Sequence, residues 1–279
     1  KERMKKTMQF IFYILISVTM NSCGGNILTG MSDTTSDAAL LYEISLLNNA
    51  GDFATALTKY GQLTVIEKAK RETKFLLATV YGGLCGFDFF TFVEALSAGS
   101  ANNLFKILMD AFPASTKASI DNCILAETAI LAIDTNVANR TSDENLFLFF
   151  IEMAKMGNIL NKHFDTDDDG TVDVGLDACS TTDLPNVTDL YAQHMVTGFA
   201  QMSINSAAAS DSALSGATAG LEGACTLARD TLGQDICAAS DVATVTINEQ
   251  KVLRSLIKEN DSIGIGVNCT GDTSACNCP

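Results

Sequence analysis

The sequence has few positive charges for its length, only three prolines and only two histidines. Its 18 Lys and Arg residues are outnumbered by 33 Asp and Glu residues, which gives a formal net charge of −15. Nucleic-acid binding requires clustered basic residues that contact phosphates, so this balance argues against it. With so few prolines, long stretches are uninterrupted, and their apolar residues recur at helical spacing. We therefore expect a mostly α-helical protein that does not bind nucleic acid.

The sequence motifs of several large enzyme classes are also missing. It contains no GxSxG, HExxH, Walker or GxGxxG pattern. His163 ends a predicted helix, where a lone histidine is usually a surface or capping group. His194 lies between Tyr191 and Phe199 and is expected at the edge of the core. Acidic residues are abundant, but no pair stands out as an acid/base couple. The sequence therefore predicts no catalytic residue and favours a protein that is not an enzyme.

Helical periodicity extends over most of the chain after residue 36. The pattern predicts antiparallel helical hairpins packed into one α-helical body, either tetratricopeptide-like or an irregular bundle. The predicted helices are 37–49, 52–70, 71–84, 88–98, 101–111, 115–133, 143–164, 187–209, 212–231 and 247–259. Residues 263–267 are a candidate short strand, and residues 260–279 form a cysteine-rich tail.

Two helix starts are predicted from their capping residues. Thr141 and Glu144 have the spacing of a capping box. The helix that follows is apolar nearly all round at residues 146–151, which is typical of the middle of a core. Ser115 or Thr116 is expected to cap the helix after Pro113, and Cys123 is expected to point inward from that helix.

The first residues have the order of a secretory signal. Two lysines precede an uncharged apolar run at residues 10–18, and small or polar residues then lead to Cys23. The run is too short to span a bilayer, which needs roughly 20 residues. Ser22 and Cys23 after such a run resemble the lipobox of bacterial lipoproteins, although Met20 and Asn21 depart from its usual pattern.

This resemblance implies a specific organisation and location. Residues 1–22 would be a signal peptide, and Cys23 would be diacylated and anchor the protein in the bacterial cell envelope. Residues 23–36 are rich in Gly, Ser and Thr and are expected to be a flexible tether to a body at 37–279. The alternative is an ordinary signal peptide that happens to be followed by a cysteine.

Eight cysteines remain beyond Cys23, an even set that in an exported chain is typical of disulfides. A zinc site is a weaker alternative, because there is no CxxC pair and neither histidine has zinc-ligand spacing to a cysteine. Cys85 and Cys123 are expected to pair, since they are the only cysteines of the N-terminal helical half. The disulfide candidates are Cys85, Cys123, Cys179, Cys225, Cys237, Cys269, Cys276 and Cys278.

Residues 51–60 resemble the turn and second helix of a tetratricopeptide repeat. A small-residue turn at Gly51 is followed by Phe53, Ala56, Leu57 and Tyr60 at matching positions. No convincing second copy occurs at the spacing of that family. The resemblance implies a stacked helix pair and leaves open whether a repeat array is present.

The acidic stretch at residues 165–177 is the most specific internal motif. Asp165, Asp167 and Asp169 alternate with other residues, and Gly170 follows for a tight turn. Calcium sites use several hard oxygen ligands in such an arrangement, so the stretch resembles an EF-hand or dockerin calcium loop. The predicted ligands are Asp165, Asp167, Asp169, the backbone carbonyl of Thr171, Asp173 and Asp177.

The loop departs from that family at its last position. Leu176 stands where a bidentate Glu is expected, and Asp177 comes one residue late. Asp177, Asp183 or Asp189 is therefore a candidate for closing the ligand shell. The alternative is a solvated acidic turn, because Asp and Gly are favoured in turns for backbone reasons alone.

Three functions remain open from these observations. The first is a membrane-anchored helical scaffold that contacts a protein in the envelope and carries structural calcium. The second is a small-ligand-binding lipoprotein that serves a transport system, and the third is an enzyme without a recognised motif. A concave helical surface favours the first, an enclosed apolar pocket the second, and convergent His, Asp and Ser groups the third.

Overall fold

The computed structural model describes residues 35–88, 92, 94, 104–179, 189–206, 215–258, 263–266 and 277–278. Cys23, the tether before residue 35 and most of the predicted helix 88–98 lie outside these residues. Within them the fold is all α-helical, as predicted. The α-helices are α1 Asp37–Asn49, α2 Phe53–Gln62, α3 Val65–Lys68, α4 Arg71–Leu84, α5 Leu104–Asp110, α6 Lys117–Leu131, α7 Ser142–Phe164, α8 Asp189–Asn205, α9 Ser215–Asp230 and α10 Ile247–Lys258. None of these described helices is long and apolar enough to cross a membrane.

Two of the secondary-structure predictions were wrong. The helix predicted at 52–70 is divided in two, because Thr64 adopts an extended conformation and its side chain caps α3. Asp37 at the start of α1 accepts hydrogen bonds from the backbone and the hydroxyl of Thr64, which holds the break. The predicted strand is absent from its described residues 263–266. Instead, Ile265 donates a backbone hydrogen bond to Ile257 at the end of α10, and Ile263 accepts one from Phe105.

Helix α7 lies at the centre of the body, as its apolar sequence predicts. Every residue from Leu148 to Asn161 is buried. The helix begins with the predicted capping box, in which Thr141 and Glu144 exchange side-chain and backbone hydrogen bonds. It packs against α5, α6 and α8, and α8 in turn packs against α10. At Gly157 a Cβ would lie 2.4 Å from the carbonyl oxygen of Leu108, so glycine permits the close approach of α5.

The first helices form a smaller layer beside this core. Helix α1 packs on α2, α2 on α4, and α4 on α6. Leu40, Ile44, Ala56, Leu63 and Val80 form their own buried apolar cluster. Residues 51–60, which resemble the turn and second helix of a tetratricopeptide repeat, form the turn after α1 and most of α2.

Three disulfides connect the described residues. Cys85 pairs with Cys123, as predicted, and joins the end of α4 to α6. Cys123 is fully buried and Thr116 caps its helix, both as expected. The other two bonds are Cys179–Cys278 and Cys225–Cys237. Cys269 and Cys276 lie outside the described residues. The disulfide prediction is therefore confirmed for six of the eight cysteines, and Cys278 ties the C-terminal tail to the body.

Candidate calcium loop and buried charge cluster

The C-terminal end of α7 positions the first residue of the acidic loop. Asp165 caps this helix and donates its backbone N–H to the carbonyl of Asn161 at 3.0 Å. Its side chain turns inward, so that Asp165 is only 2% exposed. The two carboxylate oxygens accept backbone hydrogen bonds from Asp169 and Gly170, at 3.0 and 3.2 Å. The loop is thus wound around the carboxylate of its first residue.

Two residues with positive φ give the loop its curvature. Gly170 has φ +78° and Asp168 has φ +58°, a region that glycine enters freely and that Asp tolerates. The carboxylate of Asp168 accepts hydrogen bonds from the backbone of Ala114 at 2.7 Å and the side chain of Asn161 at 3.1 Å. Asp168 therefore attaches the loop to the turn that precedes α6, and this use explains its strained conformation.

The turn brings three predicted ligands together. Asp165, Asp167 and Asp169 each present a carboxylate oxygen within 4.8 Å of the others, and they are the only such metal-type group found among the described residues. Asp165 is buried, whereas the other two are exposed. Hard oxygen donors at this spacing suit calcium. The three side chains thus form one face on which a cation can be held.

The residues of the other predicted ligands form hydrogen bonds within and beside the loop. Asp173 accepts hydrogen bonds from the backbone and the hydroxyl of Thr166. Thr171 donates its backbone and hydroxyl hydrogens to Asp169, at 2.8 and 2.6 Å. Asp177 accepts from the backbone of Cys179, and Leu176 packs against the main core.

Neither of the other two candidates for closing the shell is available from the described residues. Asp189 lies 3.4 Å from the guanidinium of Arg254, and Asp183 lies outside the described residues. The described part of the site therefore resembles the first half of an EF-hand loop without its bidentate last ligand.

The surroundings of the carboxylates differ along the loop. Burial raises the pKa of Asp165, although the backbone N–H groups of Gly170 and Asp169 partly oppose this. The hydrogen bonds from Thr171 lower the pKa of Asp169. The side chain of Lys106 reaches the edge of the loop, where it donates a hydrogen bond to the carbonyl of Gly170. It also forms an ion pair with Asp110 at 3.1 Å. Lys106 forms no described ion pair with the three clustered carboxylates.

A second group of charges lies inside the core, where the sequence did not predict a site. The ammonium group of Lys155 on α7 is fully buried and donates to Glu127 of α6 at 2.7 Å. It also lies 2.5 Å from an oxygen of Glu152, one turn earlier on α7, whose side chain is fully buried too. This second contact is an ion pair without hydrogen-bond geometry, since both oxygens of Glu152 lack a hydrogen-bond partner among the described atoms.

Burial and charge shift the pKa values of this cluster. Burial, followed by the charge of Glu127, raises the pKa of Glu152 to about 8, although Lys155 opposes the shift. Burial alone would lower the pKa of Lys155, but the two carboxylates together raise it. Burial and the neighbouring carboxylate thus favour the protonated form of Glu152.

Both histidines lie in clefts between helices. His194 is half-buried, as expected, and its enclosed Nδ1 has no hydrogen-bond partner among the described residues. Burial lowers its pKa to about 4. It lines a cleft of about 390 Å³ together with Glu127 and Asp241. The surface position expected for His163 was wrong. It is 7% exposed and lies against Tyr191, with 5.5 Å between ring centroids, because α8 covers the end of α7.

The buried cluster had only a partial signal in the sequence. Glu152 and Lys155 stand at i and i+3 in an otherwise apolar stretch, which is a spacing at which helical side chains meet. Glu127 is 28 residues from Lys155, and no local pattern links the two.

No family model, curated protein or solved structure matches this chain. The geometry of the acidic loop, the buried charges and the clefts is therefore the basis for any functional conclusion.

Proposed function

We propose that this protein is a lipid-anchored scaffold of the bacterial cell envelope, with a helical body that calcium and disulfides stiffen and that contacts a protein partner. The observation that carries the proposal is the convergence of Asp165, Asp167 and Asp169 at the end of the central helix. Carboxylates this close repel one another, and a divalent cation relieves that repulsion. Calcium bound here acts on the whole body, because the loop follows α7 directly and Asp168 attaches it to the turn before α6.

The calcium site is expected to be weak and structural. Because Leu176 stands where a bidentate Glu is expected and has no side-chain oxygen, the last ligand of a tight EF-hand is missing. Affinities on the order of 10⁻⁴–10⁻³ M are typical of extracellular calcium modules. A ligand that binds only the folded state raises its stability by RT ln(1 + [L]/Kd). With Kd near 1 mM, 10 mM calcium adds about 1.4 kcal/mol, or roughly 3–5 °C in Tm.

Thermal unfolding with and without calcium tests this site. Calcium at 10 mM is expected to raise the Tm, and magnesium is expected to do so less because it loses its waters reluctantly. Asp167→Ala combined with Asp169→Ala removes the response while the helical circular-dichroism signal persists. The control, Glu72→Ala combined with Glu222→Ala, removes the same charge elsewhere and keeps the response. Identical melting curves at 0 and 10 mM calcium would overturn calcium binding.

Export and lipid anchoring are supported by two observations. Three disulfides connect the body, and such bonds persist in oxidising compartments. The signal-like first residues lead to Cys23. In a bacterial host the full chain is expected to incorporate labelled palmitate and to partition into detergent. Cys23→Ala is expected to lose both properties, whereas labelling of that variant would contradict the anchor.

The first helices supply a surface for a protein partner. Tyr42 and Leu46 lie one turn apart on α1 and are 68% and 51% exposed, and Val65 and Ile66 on α3 are 84% and 79% exposed. Contiguous exposed apolar patches mark protein-interaction sites, and we propose that these side chains contribute to one. Crosslinking in intact membranes is expected to give a discrete adduct that Val65→Glu with Ile66→Glu removes. Ile247→Glu, at a residue that is 72% exposed on α10, is the control and is expected to keep the adduct.

A second candidate function is binding of a small ligand on behalf of a transport system. Two clefts between helices favour it, with volumes of about 350 and 390 Å³. Small-molecule sites in proteins begin at roughly 300 Å³. Equilibrium binding of small molecules to the purified body separates this candidate from a pure scaffold, which binds none.

A further inference from the structure

A largely apolar cleft of about 350 Å³ lies where α6, α7 and α8 meet. Its apolar wall comes from Ile120 and Ile124 of α6 and from Leu190 and Tyr191 of α8. Leu190 is 52% exposed and Ile120 is fully buried, so the wall extends from solvent into the core. Such a cleft buries the apolar body of a small molecule.

A buried polar atom of one residue that lines this cleft lacks a hydrogen-bond partner among the described residues. His163, which lines the cleft, is 7% exposed, and its Nε2 has no hydrogen-bond partner among the described residues. Buried polar atoms are almost always hydrogen-bonded, and an unsatisfied one costs about 1–3 kcal/mol. An occupant of the cleft with a polar group can supply the missing bond. An imidazole Nε2 that carries the proton donates it to an oxygen.

The lysines that line the cleft differ in their pairing. Lys117 is held by Asp121 at 2.6 Å. Lys162 is half-buried beside His163 and forms no ion pair with any described residue, although the chain has an excess of carboxylates. An ammonium group without a partner at the edge of an apolar cleft favours an anionic ligand.

We infer that this cleft binds a small monocarboxylate with an aliphatic or aromatic body. Its carboxylate contacts Lys162 and accepts from His163, while its body packs on Ile124, Leu190 and Tyr191. The inference rests on the second candidate function and names its ligand class. Asp121 also lines this cleft, but it is paired with Lys117. The cleft beside His194 does not suit the same ligand, because Glu127 and Asp241 line it and no described Lys or Arg does.

Calorimetric titration of the disulfide-bonded protein tests this assignment with named probes. 3-Phenylpropanoate and octanoate represent the aromatic and aliphatic forms of the ligand. We expect at least one to bind at one site per chain. We expect 3-phenylpropanamide, which keeps the shape and loses the charge, to bind at least about 10-fold more weakly, since bonds to charged groups are stronger. 3-Phenylpropylamine is expected not to bind this cleft.

Two variants test whether the bound acid occupies this cleft. Lys162→Met keeps the apolar stem and is expected to weaken carboxylate binding about 10-fold or more. Leu190→Glu puts a negative charge on an exposed wall residue and is expected to abolish binding without unfolding the protein. Lys251→Met removes a lysine that does not line the cleft and is expected to leave binding unchanged. Circular dichroism of each variant establishes that it is folded.

The outcomes separate this inference from the functions above. Equal binding of acid and amide, or unchanged binding by folded Lys162→Met, overturns the carboxylate assignment. No binding of either acid overturns it as well. If neither acid binds but 3-phenylpropylamine does, and if Glu127→Gln weakens that binding, the amine occupies the cleft beside His194. The second candidate function is then still supported. The anchored scaffold and its calcium response are measured separately and stand in either case.

Discussion

Two groups of carboxylates are built on α7, one in its middle and one at its C-terminal end. In the middle, Glu152 and Glu127 share the buried ammonium of Lys155. At the end, Asp167 and Asp169 are exposed beside the buried Asp165, without a described lysine or arginine between them. A buried charge needs a partner within the protein, whereas an exposed one is stabilised by water. The comparison shows why the buried carboxylates have a lysine within the protein, whereas the exposed ones form no described ion pair.

Removing the internal cation is expected to have the largest effect. Lys155→Met leaves one buried carboxylate unpaired and is expected to lower the free energy of unfolding by about 3–5 kcal/mol, the usual consequence of breaking a buried pair. Urea unfolding measures the loss. Lys251→Met on the surface of α10 is the control and is expected to change stability by less than about 0.5 kcal/mol. A loss below about 1 kcal/mol in Lys155→Met would mean that the buried pair is dispensable.

The covalent link next to this region is expected to matter slightly less. Cys85→Ala with Cys123→Ala opens a separation of 38 residues, and Cys225→Ala with Cys237→Ala opens one of 12. Loop entropy predicts losses of about 4 and 3 kcal/mol, so the first pair costs about 1 kcal/mol more. Urea unfolding measures both. The calcium response is expected to survive in each variant, because neither disulfide includes a residue of the acidic loop.

Protonation of Glu152 is expected to make stability depend on pH. Since its pKa is about 8 in the folded protein and about 4.5 when unfolded, the folded state binds more protons between these values. Glu152 therefore contributes stability below pH 4.5 that is lost as the pH rises to about 8.

Glu152→Gln isolates this contribution, because Gln has nearly the same shape and does not titrate. Burial lowers the pKa values of His163 and His194 to about 4, so these residues make the protein more stable as the pH rises towards 6.5. Because both proteins contain the two histidines, this contribution cancels when the wild type is compared with Glu152→Gln. The stability of the wild type relative to Glu152→Gln is expected to fall between pH 5 and 8 in urea unfolding series. A constant difference would contradict a buried, protonated Glu152.

A single charge in the loop is expected to have the smallest effect, with a sign that depends on calcium. Asp167 is exposed and has no described hydrogen bond. In chelator, Asp167→Asn relieves repulsion and is expected to raise stability by about 0.5 kcal/mol. At 10 mM calcium it removes a ligand and is expected to be less stable than the wild type. The Tm of Asp167→Asn should therefore be higher than that of the wild type in chelator and lower in 10 mM calcium. A difference of the same sign in both conditions would count against a shared cation site.

Several features of this fold could be predicted because their causes are local. The capping box of α7 depends on Thr141 and Glu144, which are three residues apart. The buried stretch of α7 follows from apolar residues on all sides of one helix. The helix predicted at 52–70 was wrong at Thr64, where a side chain 27 residues away holds the break.

In the candidate sites, too, only the features with local causes could be predicted. The approach of Asp165, Asp167 and Asp169 was predictable, because alternate residues before a glycine meet in one turn. The position of His163 was not, since the solvation of a helix-terminal residue depends on whether another helix covers it, and here α8 does.

What the sequence determined by itself is the helical class, the helix caps, the acidic turn and the signal-like start, all of which depend on residues within a few positions of one another. Only the tertiary structure decided that Lys155 meets Glu127, that Asp168 reaches Ala114 and that His163 lines a cleft. Those contacts join different helices or loops. Burial, which raises the pKa of Glu152 and leaves Nε2 of His163 without a hydrogen-bond partner among the described residues, exists only when the helices have packed together.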